Sequence, residues 1–131
     1  MNKTQTLINP GNLFFNINEI KRLISIQGSS FEVNPTKTYS NITNASLDYI
    51  KNKSTTNKIV IDLHFDIINS CCTRHLMEFI RTVGNQIKDK IHLQINWKYD
   101  NGNDDMLELG HDLASIFPLL SFLFIEMAEK K

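Results

Sequence analysis

Little in this chain is in excess, and what is scarce narrows its chemistry. Lysine plus arginine and aspartate plus glutamate each number 14, so the formal net charge is +0. Without a basic surplus, no nucleic-acid partner is expected. Apolar runs are short. None reaches the roughly 18 residues that mark a membrane-spanning helix, and Ser121 and Glu126 interrupt the stretch from Phe117 to Met127. Met1-Asn2-Lys3-Thr4-Gln5-Thr6 is polar and lacks the apolar segment of a signal peptide. The expectation is a cytoplasmic protein with no membrane partner.

Metal and catalytic signatures are also missing. The two cysteines, Cys71 and Cys72, are neighbours. Vicinal cysteines rarely bridge, and two cannot complete a zinc site, so they read as reduced thiols. His64, His75, His92 and His111 stand in no ligand motif. Asp100-Asn101-Gly102-Asn103-Asp104-Asp105 superficially looks like a calcium loop. Its glycine comes third, however, and His111 stands where such a loop needs its twelfth-position glutamate. There is no glycine-rich phosphate loop, no G-x-S-x-G elbow and no local nucleophile–base pair. No metal, no cofactor and no enzymatic activity are expected.

What is present is an ordinary globular composition, with 41% apolar and 21% charged residues in 131. That length fits one domain. Residues 1–11, ending in the turn signal Asn9-Pro10-Gly11, are read as an N-terminal extension to a domain over 12–131. Leu13–Ile17 and Arg22–Gln27 read as a strand hairpin. Asn34 and Pro35 are the expected cap and first residue of a helix carrying Tyr39, Ile42, Ala45, Ser46, Tyr49 and Ile50. Lys51–Asn57 is a polar loop.

Lys58–Phe65 is a β-branched apolar run expected to be a strand buried on both faces. Asp66–Ser70 is the expected connection to a second helix, whose stripe is Leu76, Phe79, Ile80, Val83 and Ile87. That helix should stop near Lys88-Asp89-Lys90. Ile91–Tyr99 alternates with a period of two. Asp100-Asn101-Gly102 turns the chain, and Asn103 should cap a third helix with Asp104 and Asp105 in its first turn. Met106, Leu109, Leu113, Ile116 and Phe117 form its stripe, and Ser121–Met127 is a last strand. The fold class is therefore α/β, ordered β-β-α-β-α-β-α-β, with a mixed, mostly parallel sheet packed against helices.

Ser70 carries the functional question. A serine where a strand becomes a helix serves well as an N-cap. The same position, with free backbone N–H groups and the positive end of a helix dipole, also suits a phosphate. Arg74 follows one turn later on the same face. Local chemistry leaves both roles open.

Two stretches bear on it. Asn96-Trp97-Lys98-Tyr99-Asp100 and Asn103–Leu113 resemble the N-W-x-Y-D…D-x-D-M-x-E-x-G-x-D segment of the SiaC family of bacterial regulatory phosphoproteins. Asn69-Ser70-Cys71-Cys72-Thr73-Arg74 resembles that family's N-T-S-S-S-K segment, and Gly28-Ser29-Ser30-Phe31 is a weaker match to G-x-S-Y-P-E. The resemblance implies a STAS-like single domain without enzymatic activity. It implies a switch: a cognate Ser/Thr kinase phosphorylates the hydroxyl that falls on Ser70, and a PP2C-type phosphatase removes the phosphate. The unmodified form would bind an output enzyme such as a diguanylate cyclase, in biofilm regulation.

By position, Asn69, Cys71 and Arg74 would neighbour the phosphate, and Thr73 is a weaker acceptor. Asp100, Asp104 and Asp105 are a candidate partner surface, though helix capping explains them as well. Serine replaces threonine here, and two serines have become Cys71 and Cys72. The alternatives are a STAS-like, anti-sigma-factor-antagonist type of interaction protein in another partner-switching circuit, or a redox sensor using Cys71 and Cys72.

Overall fold

The structure, a computed structural model, describes residues 4–9, 13–51, 58–87 and 93–128. Its elements are β1 (Thr4–Asn9), β2 (Leu13–Asn18), β3 (Leu23–Ser30), α1 (Thr36–Lys51), β4 (Ile59–Ile68), α2 (Ser70–Gln86), β5 (Leu93–Asp100), α3 (Asp104–Ile116) and β6 (Ser121–Met127). The expected α/β order over residues 13–127 is the observed one. The expected starts and ends at Pro10–Gly11, Asn52–Asn57, Lys88–His92 and Glu129–Lys131 lie outside the described residues.

The strands form one six-stranded sheet in the order β1-β2-β3-β4-β5-β6. β1, β2 and β3 pair antiparallel; β3, β4, β5 and β6 pair parallel. The segment read as an N-terminal extension thus supplies an edge strand, with Thr4 opposite Asn18 and Asn9 opposite Leu13.

The three parallel crossovers step across the sheet in the same direction. With the usual right hand, they set α1, α2 and α3 on one face. Burial follows that geometry and corrects one expectation. β4 is not buried on both sides: Ile59, Ile61, Leu63 and Phe65 are buried, while Val60, Asp62 and His64 between them are only half-buried. The β-branched run conceals an alternation, and the second face is polar. On it Lys98 Nζ lies 3.0 Å from Asp62, Asn96 donates to Asp62 at 2.7 Å, and His64 Nε2 lies 2.8 Å from Asp100.

Each helix reaches the covered face with one stripe. α1 buries Tyr39, Ile42, Ser46, Tyr49 and Ile50, as its period requires. Its start is one residue late: Thr36 is the first helical residue, Pro35 precedes it, and the Asn34 side chain accepts from the Thr36 N–H at 3.4 Å. α2 buries Cys72, Leu76, Phe79, Ile80 and Val83. α3 buries Met106, Gly110 and Leu113, whereas Ile116 of the expected stripe is 47% exposed.

α3 is fastened through Trp97, the single tryptophan. Its indole is 1% exposed, sits 6.0 Å from the Phe65 ring and donates to the Met106 carbonyl at 2.8 Å. Gly110 makes room for it: a Cβ there would lie 2.4 Å from the indole ring. The Trp97–Leu113 motif is therefore a packing lock, with a small residue opposite a large one.

Gly110→Ala forces that lock apart, because a buried indole between sheet and helix has little freedom to retreat. A loss of about 3 kcal/mol of unfolding free energy is expected, at the upper end of ordinary overpacking. Urea denaturation followed by Trp97 fluorescence measures it; an unchanged midpoint contradicts the lock.

Candidate functional site

Because α1, α2 and α3 each follow one of the parallel strands β3, β4 and β5, all three begin at the carboxyl edge of those strands. That edge is where open α/β sheets usually place their sites. α2 starts in its middle, directly after β4.

The connection there is shorter than its sequence suggests. β4 runs to Ile68 and α2 begins at Ser70, so Asn69 alone joins them. Asn69 is extended, at φ −85° and ψ 172°, and it is the N-cap. Its side-chain oxygen accepts from the Cys72 N–H at 2.8 Å, and its carbonyl accepts from the Thr73 N–H at 2.9 Å. The capping role considered for Ser70 therefore belongs to its neighbour. Ser70 is the first helical residue and is exposed. Among the described residues its hydroxyl has no hydrogen-bond partner, and the N–H groups of Ser70 and Cys71 have no acceptor, as expected in a first turn.

Asn69 also ties the site to the rest of the sheet. Its N–H donates to the Ser30 carbonyl at 3.0 Å, and its side-chain amide donates to the Glu32 carbonyl at 3.4 Å. Cys72 is buried, with its sulfur 3.8 Å from that same carbonyl. Above them Ser30 Oγ lies 2.8 Å from the Tyr39 hydroxyl. Burial pushes Tyr39 far above the ordinary tyrosine value, so the phenol stays neutral.

The other expected residues separate clearly. Thr73, the weaker acceptor, is half-buried, and its hydroxyl donates back to the Asn69 carbonyl at 2.9 Å. Arg74 is exposed one turn beyond Ser70 and makes no ion pair among the described residues. Cys71 is half-buried. Asp104 and Asp105 are exposed in the first turn of α3, at the same sheet edge. Asn103 caps that helix, accepting from the Met106 N–H at 3.3 Å, and its amide donates to the Asp66 carbonyl at 3.3 Å. Asp100 is turned to the opposite face, against His64.

Four residues around the site, His75, Thr36, Glu32 and Thr38, are not among the site residues expected from the sequence. His75 Nδ1 lies 3.0 Å from the Cys71 carbonyl, so Nδ1 carries the proton there. In the neutral ring Nε2 then accepts from the Thr36 hydroxyl at 3.3 Å, fastening the start of α1 to α2. The Glu32 carboxylate accepts from Thr38 Oγ1 at 2.9 Å. Their signal was available in the helical spacing Cys71–His75 and in the segment following Ser30.

A β-bulge shapes the approach. Gly28 pairs with Phe65 and Ser29 with Ile67, so Asp66 is the extra residue. Without it the alternation Ile61, Leu63, Phe65 would carry Ile67 inward. The bulge reverses the faces, leaving Ile68 packed on the core and Ile67 53% exposed. Phe31 and Val33, in the segment that Asn69 holds, are exposed too.

Comparison with known proteins bears on the family and the fold. The family model described as "SiaC family regulatory phosphoprotein" matches residues 13–127. No curated protein matches the sequence. Among solved structures, SiaC of Pseudomonas aeruginosa superposes with a TM-score of 0.74 at 16% identity, over 95% of this chain and 99% of that one. The crystal structure of the diguanylate cyclase SiaD in complex with its activator SiaC, from the same organism, matches with a TM-score of 0.76 at 15% identity, again over 95% and 99%.

Asn69→Ala removes both side-chain bonds of the cap at once. A loss of about 1–2 kcal/mol is expected from the capping role alone. Hydrogen exchange should show the Cys72 amide losing protection first. Full protection of that amide in the variant contradicts the assignment of Asn69 as cap.

The family model covers most of the chain and the fold is shared along nearly its whole length, so the chain belongs to the SiaC family of regulatory phosphoproteins.

Proposed function

We propose that the protein is a non-enzymatic switch in which a cognate Ser/Thr kinase phosphorylates Ser70 and a PP2C-type phosphatase restores it. The modification controls binding to an output partner such as a diguanylate cyclase. One observation carries the assignment of the residue: Ser70 is the exposed first residue of α2, and Asn69 has taken the cap, leaving the serine hydroxyl unengaged. The alternative acceptor, Thr73, has its hydroxyl committed to the Asn69 carbonyl.

A phosphate on Ser70 adds roughly −1.5 to −2 charge and three strong acceptor oxygens. It meets the open N–H groups of the first turn, the positive end of the α2 dipole and Arg74, so it is tolerated without refolding. The effect on a partner is different. Phe31, Val33 and Ile67 give this corner an exposed apolar character. A partner seated over them must strip water from the phosphate, and an uncompensated buried charge is costly. The unmodified protein is then the binding form. The resemblance to SiaC in its complex with SiaD favours an output enzyme of that class over an anti-sigma-factor circuit. A redox pair is disfavoured because Cys72 is 0% exposed.

Co-expression with the cognate kinase, followed by intact-mass and phosphosite analysis, should give one phosphate on the wild type and none on Ser70→Ala. Phosphorylation of Ser70→Ala as fully as wild type sinks the assignment. Ser70→Asp should keep the wild-type circular dichroism spectrum and bind the output partner at least about tenfold more weakly, a cost of about 1.4 kcal/mol. Loss of structure in that variant contradicts a switch that works by local charge.

A further inference from the structure

β6 closes the sheet order, and among the described residues its one strand neighbour is β5. Its outer side therefore presents the unpaired N–H and C=O groups of a sheet edge. Soluble proteins defend such edges with lysine, proline, a bulge or a very short strand. β6 has none of these. Its seven residues, Ser121-Phe122-Leu123-Phe124-Ile125-Glu126-Met127, contain one charge and no proline. Its register on β5 runs from Ser121 opposite Gln94 to Met127 opposite Asp100 without a shift. No residue in it is fully buried, and Leu123 is 49% exposed.

Unpaired backbone groups in a row specify another strand as the occupant, and the sequence of β6 matches itself. We propose that β6 pairs antiparallel with β6 of a second copy, about a two-fold axis at Phe124, joining the two sheets into one. This register engages every residue of the strand and keeps each face with its own kind, as a two-fold interface requires. Leu123 falls opposite Ile125 of the partner subunit, and Ile125 opposite the partner's Leu123. Four aliphatic side chains then cover one another on the open face, where cross-strand neighbours approach within about 5 Å. Glu126 faces Phe122 of the partner subunit rather than its own equivalent, so like charges do not meet. With a formal net charge of +0, two copies have no global repulsion to overcome.

The arrangement leaves the switch site free. Ser70 follows β4, two strands in from β6. A two-fold axis at the edge sends the carboxyl edges of the two sheets in opposite directions, so both Ser70 hydroxyls stay accessible. The proposal is independent of which residue is phosphorylated.

Sedimentation equilibrium on the full chain, from about 1 to about 100 µM, should show a monomer–dimer equilibrium, as suits an interface of modest size. Leu123→Lys/Ile125→Lys, which gives the edge the charges it lacks, should weaken association at least about tenfold while retaining the wild-type circular dichroism. A second test reads the register and survives misfolding of that variant. In a Cys71→Ser background, Leu123→Cys mixed with Ile125→Cys should form disulfide heterodimers under mild oxidation, well above the yield of either alone. A wild type that is monomeric throughout, a folded lysine variant that associates as strongly as wild type, or no excess of cross-linking in the mixture overturns the proposal.

Discussion

One residue, Asn69, decides where the parts of the site can be. Its backbone N–H is held by Ser30 at the end of β3, its amide by Glu32 beyond that strand, and its side-chain oxygen and carbonyl hold the first turn of α2. Five donor–acceptor pairs meet in a connection of a single residue, counting the Thr73 hydroxyl. Remove the side chain and two part-buried partners, the Cys72 N–H and the Glu32 carbonyl, lose a hydrogen bond. Because Asn69 satisfies the cap, Ser70 need not. The hydroxyl next door is exposed as a consequence of its neighbour's geometry.

Topology sets the surroundings of that hydroxyl. Three crossovers stepping in one direction put every helix on one face and every helix start at one edge. The opposite face stays uncovered, which is why Asp62 and His64 can sit in a central strand, Asp62 bonded to Lys98 and His64 to Asp100. The bulge at Asp66 then interrupts the alternation just before the site. It turns Ile67 out and lets Ile68 close the core beneath Asn69. A bulge weakens its ladder, and its position beside the exposed serine is the usual one for a feature that aims a side chain.

Much of this was legible, because the signals were local. Ser121–Met127 stands out by composition, and the Asn103 cap by the acids after it. The Trp97–Leu113 motif is legible for a physical reason: an indole needs a glycine opposite, and that pair leaves a fixed spacing. What escaped was non-local or degenerate. Asn and Ser are equally good caps, so spacing alone does not tell which of Asn69 and Ser70 holds the helix. Thr4–Asn9 becomes a strand because β2 offers it an edge, which its polar sequence does not announce. The bulge is a property of pairing between β3 and β4, invisible in either strand alone. Double burial was read from a β-branched run whose Asp62 and His64 were the evidence against it.

The departures from the family's segment fall into two kinds once their places are known. Position 70 is exposed and keeps a hydroxyl, with serine for threonine. Position 72 is 0% exposed and trades a hydroxyl for a thiol. A buried serine needs a partner for its O–H, whereas cysteine packs as a small apolar group with a weak donor. Here that donor points at the Glu32 carbonyl, 3.8 Å away, which Asn69 also contacts. The substitution at the buried position therefore serves packing beneath the cap and leaves the outer surface unaltered. Of the three positions only Ser70 faces solvent in full, and there the chain presents a free hydroxyl with a cation one turn on.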